Sequence, residues 1–128
     1  HLYPQVLEVI KTLSARGNML GVVTSKLSMG AERGLKLTGL FDFFDVIVTA
    51  DDVVCPKPNP EPVALCLKRL SAIDESAVFV GDSPHDIASG NAAGIATAVA
   101  LWGPFVRTDF QSFSPTFFLD SPKEILLL

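Results

Sequence analysis

The run Val78-Phe79-Val80-Gly81-Asp82-Ser83-Pro84-His85-Asp86, continued by Ile87-Ala88-Ser89-Gly90-Asn91-Ala92-Ala93-Gly94, constrains this chain more than any other stretch. An apolar, β-prone segment breaks at Gly81, passes through a turn carrying two acids four positions apart, and enters a small-residue helix that stops at Gly94. Both acids therefore hang at the carboxyl end of a buried strand. Parallel α/β sheets present such loops to a crevice, and carboxylate oxygens placed there suit a hard cation such as Mg²⁺. Taken singly, either acid is explained equally well as a turn or helix N-terminal residue favoured by capping and by the helix dipole.

The segments before this stretch repeat one rhythm. After Tyr3-Pro4, apolar Val6, Leu7, Val9, Ile10 and Leu13 recur at helical spacing, and Gly17 is placed to end that helix. Met19 to Thr24 reads as a short central strand, apolar until the polar Thr24-Ser25-Lys26 at its carboxyl end. Ser28 is expected to cap a second helix running towards Gly39, followed by the apolar turn Leu40 to Phe44 and a strand from Val46 to Thr49. A Pro-dense loop, Cys55-Pro56-Lys57-Pro58-Asn59-Pro60, opens a third helix through about Leu70, and a strand from Ala77 to Val80 follows.

Beyond the helix Pro84 to Ala93 come a strand from Thr97 to Ala100, a turn at Trp102-Gly103-Pro104 and an aromatic-rich segment from Phe105 to Ser114. A short strand from Thr116 to Leu119 and a terminal helix capped by Ser121 close the chain. Strands alternating with helices at this spacing predict a single α/β domain over residues 1–128, with a parallel sheet and right-handed crossovers.

Composition narrows the function classes. Ten Lys and Arg against fourteen Asp and Glu give a net charge of -4, without a basic cluster that could follow a phosphate backbone, so no nucleic-acid partner is expected. No apolar run reaches the roughly 18 residues needed to cross a bilayer, so no membrane partner is expected. Cys55 and Cys66 show no metal spacing, which places the chain in a reducing, cytoplasmic setting. The 48% hydrophobic content and mean hydropathy of +0.40 are high for a small domain and suggest surfaces that something covers.

Polar groups fall at the carboxyl ends of several predicted strands: Thr24 with Ser25, Lys57 in the loop after the next strand, and Asp82 with Asp86. Residues far apart in sequence converge there in an open α/β sheet. A hydroxyl, an ammonium and a cation site together form a phosphate-binding set. By itself, Lys57 in a Pro-rich loop reads as a solvated lysine and Thr24-Ser25 as a plain strand end. His85 reads as an exposed loop residue, the cysteines as inert thiols, and the phenylalanines as core or interface.

Thr24-Ser25-Lys26, Lys57-Pro58-Asn59-Pro60 and Gly81-Asp82-Ser83-Pro84-His85-Asp86 with Ala93-Gly94 resemble motifs II, III and IV of the haloacid dehalogenase superfamily. Their order and spacing are most similar to the phosphoglycolate phosphatase and pyrophosphatase branch. The resemblance implies a three-layer α/β/α Rossmann-like core and Mg²⁺-dependent hydrolysis of a small phosphomonoester or pyrophosphate. It implies that Thr24 and the Ser25 backbone bind the phosphoryl group and that Lys57 stabilises charge on it. It also implies that Asp82 holds Mg²⁺ and that Asp86 binds it directly or through water while orienting Lys57. Ser25 departs from the Asn common at its position.

Motif I, an Asp-x-Asp pair whose first member attacks the phosphoryl group, has no match. Asp42 and Asp45 are three apart and Asp51 and Asp52 are adjacent. In that branch the motif I strand lies between the strands of motifs II and IV, and a helical cap follows it. The chain thus resembles the part left when that strand and the cap are removed. The sheet is expected to be incomplete and the fragment alone inactive. The strands Met19 to Val23 and Ala77 to Val80 are expected to close on each other or to self-associate with a second copy. Two other readings stand beside this one. A non-catalytic phosphate, metal or protein-binding module fits the missing nucleophile, and a phospho-accepting receiver domain lacks the acidic pair and acceptor Asp it would need.

Overall fold

The computed structural model describes residues 5–128; the expectation placed on Tyr3-Pro4 lies outside them. Helix α1 spans Val6–Ala15 and buries Val9, and Gly17, at φ 86°, takes the left-handed backbone that follows it. Strand β1 (Gly21–Val23), helix α2 (Ser28–Leu37) and strand β2 (Val46–Val48) follow, then helix α3 (Glu61–Leu70) and strand β3 (Val78–Gly81). Helix α4 (Pro84–Ala92) and strands β4 (Ala96–Ala100) and β5 (Phe117–Leu119) complete the regular elements. Among the described residues no helix is long and apolar enough to cross a membrane.

All strand pairs are parallel, as the alternation of elements predicts, but they form two sheets. β1 pairs with β2 with Val22 opposite Ile47, and β4 lies between β3 and β5 with Val80 opposite Ala98 and Val99 opposite Phe118. β1 and β3 do not pair, so the expected closure of these two strands on each other is not found. Each sheet carries its own core. Val48, Cys66 and Leu70 pack with Val23 and Val46 in the first, and Ile87, Val99 and Phe110 pack with Phe113 and Phe118 in the second. Helix α3 covers β1 and β2, α4 covers β3 and β4, and the two helices touch.

Several local expectations need correction. The first strand is three residues rather than six, and it is not buried on both faces: Gly21 is exposed, Val22 and Val23 are half-buried, and Met19 is 60% exposed. Before it, the Leu20 amide donates to the Asp45 carboxylate at 2.8 Å, a loop contact that substitutes for a ladder bond. Ser28 is the first helical residue of α2, not its cap. Its hydroxyl lies 2.9 Å from that of Thr49 and its amide donates to Asp51 Oδ2 at 3.0 Å, so tertiary contacts claim the groups that a cap would use. The last helix is of 3-10 type, Pro122–Leu127, entered where Glu124 accepts from the amides of Asp120 and Ser121.

Helix α4, which carries Asp86, lies very close to its sheet. A Cβ added at Gly90 would lie 2.5 Å from Thr97 Cγ2 and 3.1 Å from Phe79 Cδ2. Thr97 cannot rotate away freely, because its hydroxyl donates to Asn91 Oδ1 at 2.9 Å. Gly90→Ala therefore destabilises the chain by about 1–3 kcal/mol despite alanine's better helix propensity, measurable as a lower urea midpoint.

Candidate functional site

Asp86 sits in the first turn of α4 and is 6% exposed. Its placement begins at Ser83, which starts the helix: the Ser83 hydroxyl accepts from the Asp86 amide at 3.3 Å, and Asp86 Oδ2 accepts in return from the Ser83 amide at 3.2 Å. The same oxygen accepts from the Asp82 amide at 3.1 Å. Its other oxygen, Oδ1, accepts from Lys57 Nζ at 2.6 Å. Gly81 makes this folded-back carboxylate possible, since a Cβ there would lie 2.3 Å from Asp86 Cβ.

Lys57 reaches Asp86 from the loop between β2 and α3, across a cis Lys57–Pro58 peptide. Two sets of contacts shape that loop. Glu61 accepts from the amides of Val54 and Cys55 at 2.9 and 3.0 Å, and Asn59 Oδ1 accepts from the Glu61 amide at 2.9 Å. The two backbone donors hold the Glu61 carboxyl below its usual range. Ser89, fully buried on α4, donates to the Asn59 carbonyl at 2.7 Å and fixes the loop onto the helix. Ser89 escaped sequence reading. The small-residue pattern of the helix was visible, but a partner thirty positions away was not.

Asp82 is half-buried and differently placed. Burial, followed by the neighbouring Asp86 charge, pushes its carboxyl above the ordinary value, while Lys57 opposes that shift weakly. Among the described residues no group of three or more His, Cys, Asp or Glu gathers into a complete metal cluster. Asp82 and Asp86 supply hard oxygen ligands that fit part of a Mg²⁺ shell.

Thr24 lies at the end of β1, half-buried, with its amide donating to the Val48 carbonyl at 3.0 Å and its hydroxyl accepting from the Lys26 amide at 3.2 Å. Ser25 is exposed. The structure therefore joins Lys57, Asp82 and Asp86 in one network and leaves Thr24 and Ser25 at the same end of the fold without a hydrogen bond to it. His85 is exposed, as expected. Cys66 is buried in the first core with its thiol pushed up to about 11, whereas Cys55 is exposed.

Parallel strands, helices packed on them and acids beyond a strand's carboxyl end define a Rossmann-like α/β protein. Residues 1–100 match the family described as haloacid dehalogenase-like hydrolase. The chain belongs to that family. It is 42% identical over 126 residues to the pyrophosphatase PpaX of Bacillus anthracis, covering 98% of this chain and 58% of that relative. It superposes on the haloacid dehalogenase superfamily hydrolase, subfamily IA, variant 1, of Geobacter sulfurreducens with a TM-score of 0.84 at 30% identity, covering 99% of this chain and 61% of the other. A haloacid dehalogenase phosphatase from Thermococcus onnurineus gives a TM-score of 0.84 at 30% identity, with coverages of 98% and 56%. The chain thus spans a little over half the length of these relatives.

The Lys57–Asp86 pair makes the sharpest stability test. Their side chains are 15% and 9% exposed, so removing the ammonium leaves a buried carboxylate with only backbone donors. Lys57→Met is expected to destabilise the chain by about 3 kcal/mol, read from chemical denaturation.

Proposed function

We propose that these residues form the metal-binding and charge-stabilising part of a Mg²⁺-dependent phosphatase centre acting on a small phosphomonoester or on pyrophosphate. The single observation that carries this reading is the Lys57–Asp86 contact at 2.6 Å beside Asp82. It places one ammonium and two carboxylates at the carboxyl end of a parallel strand. Asp82 would hold the cation directly, with Asp86 as its second oxygen donor, and Mg²⁺ when bound neutralises charge on phosphoryl oxygens. Lys57, fixed by Asp86, presents a positive charge to those oxygens, and the Thr24 hydroxyl with the Ser25 backbone would donate to them from β1. The relatedness to a protein named as a pyrophosphatase and to a haloacid dehalogenase phosphatase supports the substrate class.

The 128 residues contain no Asp-x-Asp pair, so this chain on its own lacks a carboxylate in the position of an attacking nucleophile. It is expected to bind Mg²⁺ weakly and to turn over no substrate. The purified chain assayed with p-nitrophenyl phosphate and Mg²⁺ should release no nitrophenol above blank. Turnover that disappears in Asp82→Ala would overturn the inactivity. A chain that binds no Mg²⁺ by calorimetry would instead favour the reading as a non-catalytic interaction module.

Among the described residues β1 and β3 each have one unpaired edge, which supports a second part of the proposal, self-association of the chain through those edges. Light scattering after size exclusion should show mass rising with concentration. Val78→Lys, a charge at a position 38% exposed on β3, should return it towards the monomer; a monomer at all concentrations would sink the idea.

A further inference from the structure

The turn after β4 presses on Asp82 at a point where no side chain fits. A Cβ added at Gly103 would lie 2.6 Å from Asp82 Cβ, 3.1 Å from its Oδ2 and 3.3 Å from its Cγ. The backbone does not account for this glycine. Gly103 is not among the positive-φ glycines, which are Gly17, Gly39 and Gly94, so an L residue could adopt its conformation. What the position needs is space.

Neither partner in this contact is free to retreat. The turn is anchored by the Gly103 amide donating to the Ala100 carbonyl at 3.2 Å and by the Leu101 amide donating to the Leu119 carbonyl at 2.9 Å. Ala98, Val99 and Ala100 before it are all buried. On the other side, the Asp82 amide is tied to Asp86 Oδ2 at 3.1 Å. The carboxylate of Asp82 is thus held between its own helix entrance and a glycine contributed by a separate loop.

We propose that Gly103 is a positioning residue for the cation site: by carrying no Cβ it lets the turn after β4 close on Asp82 and fix the direction of its carboxylate. The proposal rests on the reading of Asp82 as a cation ligand given above. It adds a determinant from a segment that none of the matched motifs includes. Substitution at Gly103 should weaken cation binding while the fold persists, since the displaced atoms belong to the ligand itself.

The test uses the 128-residue chain and Tb³⁺, a hard oxygen-seeking cation, titrated calorimetrically into the parent chain, Gly103→Ala, Asp82→Ala, Asp82→Gly and the double variant Asp82→Gly with Gly103→Ala. Gly103→Ala is expected to weaken Tb³⁺ about tenfold or more, with unchanged far-ultraviolet circular dichroism. Its urea midpoint should fall, and that fall should shrink in the Asp82→Gly background, where the opposing Cβ is absent. Parent-like affinity in Gly103→Ala overturns the proposal while leaving Asp82 as ligand. Absence of binding by the parent chain, or unchanged binding by Asp82→Ala, overturns the ligand reading and the positioning role together. Should Gly103→Ala fail to fold, a folded double variant supports the contact, whereas an unfolded one shows that the glycine serves the turn alone and overturns the proposal.

Discussion

The ion pair between Lys57 and Asp86 is the interaction on which the rest of the arrangement depends, because it joins two halves that share no strand pairing. Lys57 belongs to the loop leading into α3, which packs on the first sheet, and Asp86 to α4, which packs on the second. Desolvating two opposite charges is costly, and a buried pair holds only when its remaining hydrogen-bonding capacity is met. Asp86 meets that condition with an ammonium on one oxygen and two backbone amides on the other. Ser89 reinforces the link by donating to the Asn59 carbonyl beside it.

The same arrangement separates the two acids chemically. Asp86 lies in the first turn of α4 and accepts from three donors, the Lys57 ammonium and two backbone amides. Asp82, four residues earlier, faces Asp86 and a glycine turn, and burial raises its carboxyl instead. Two side chains of one type, four positions apart, are thereby held differently: Asp86 accepts from Lys57 and two backbone amides, whereas Asp82 lies half-buried against Asp86 and the turn at Gly103. The division follows from helix geometry, since Ser83 at the entrance turns the Asp86 carboxylate back over the amides of residues 82 and 83.

How much of this the sequence shows depends on how local the cause is. The helices and strands around Asp82 are legible because apolar spacing, Gly81, Pro84 and Gly94 act within a few residues of the elements they bound. The length and burial of β1 are not, because they depend on which strand lies beside it, and no periodicity in Met19 to Thr24 carries that information. Ser28 looks like a cap for the same reason that it is not one: its hydroxyl suits any nearby hydrogen-bond partner, and in the fold it pairs with the hydroxyl of Thr49 at 2.9 Å. At the site, the acids and Lys57 can be picked out by type and position. Ser89 and Gly103 cannot, since one acts through a carbonyl thirty residues away and the other through the atoms it lacks.

The division into two sheets leaves β1 and β3 apart. An unpaired parallel edge gains from any strand that can approach to about 4.8 Å, so two apolar edges left free in one chain should drift together unless something else fixes their spacing. Two sets of contacts do so. At the carboxyl ends of the strands, Lys57–Asp86 and Ser89–Asn59 link the loop before α3 to α4. Near the start of β1, α1 packs on the final 3-10 helix, where Arg16 donates to the Leu126 carbonyl at 3.2 Å. Closing β1 onto β3 would require these contacts to be reset, including a buried ion pair that is expensive to break. The polar contacts that orient the candidate site are therefore also among those that link the two sheets, and chemistry and architecture in this chain share side chains.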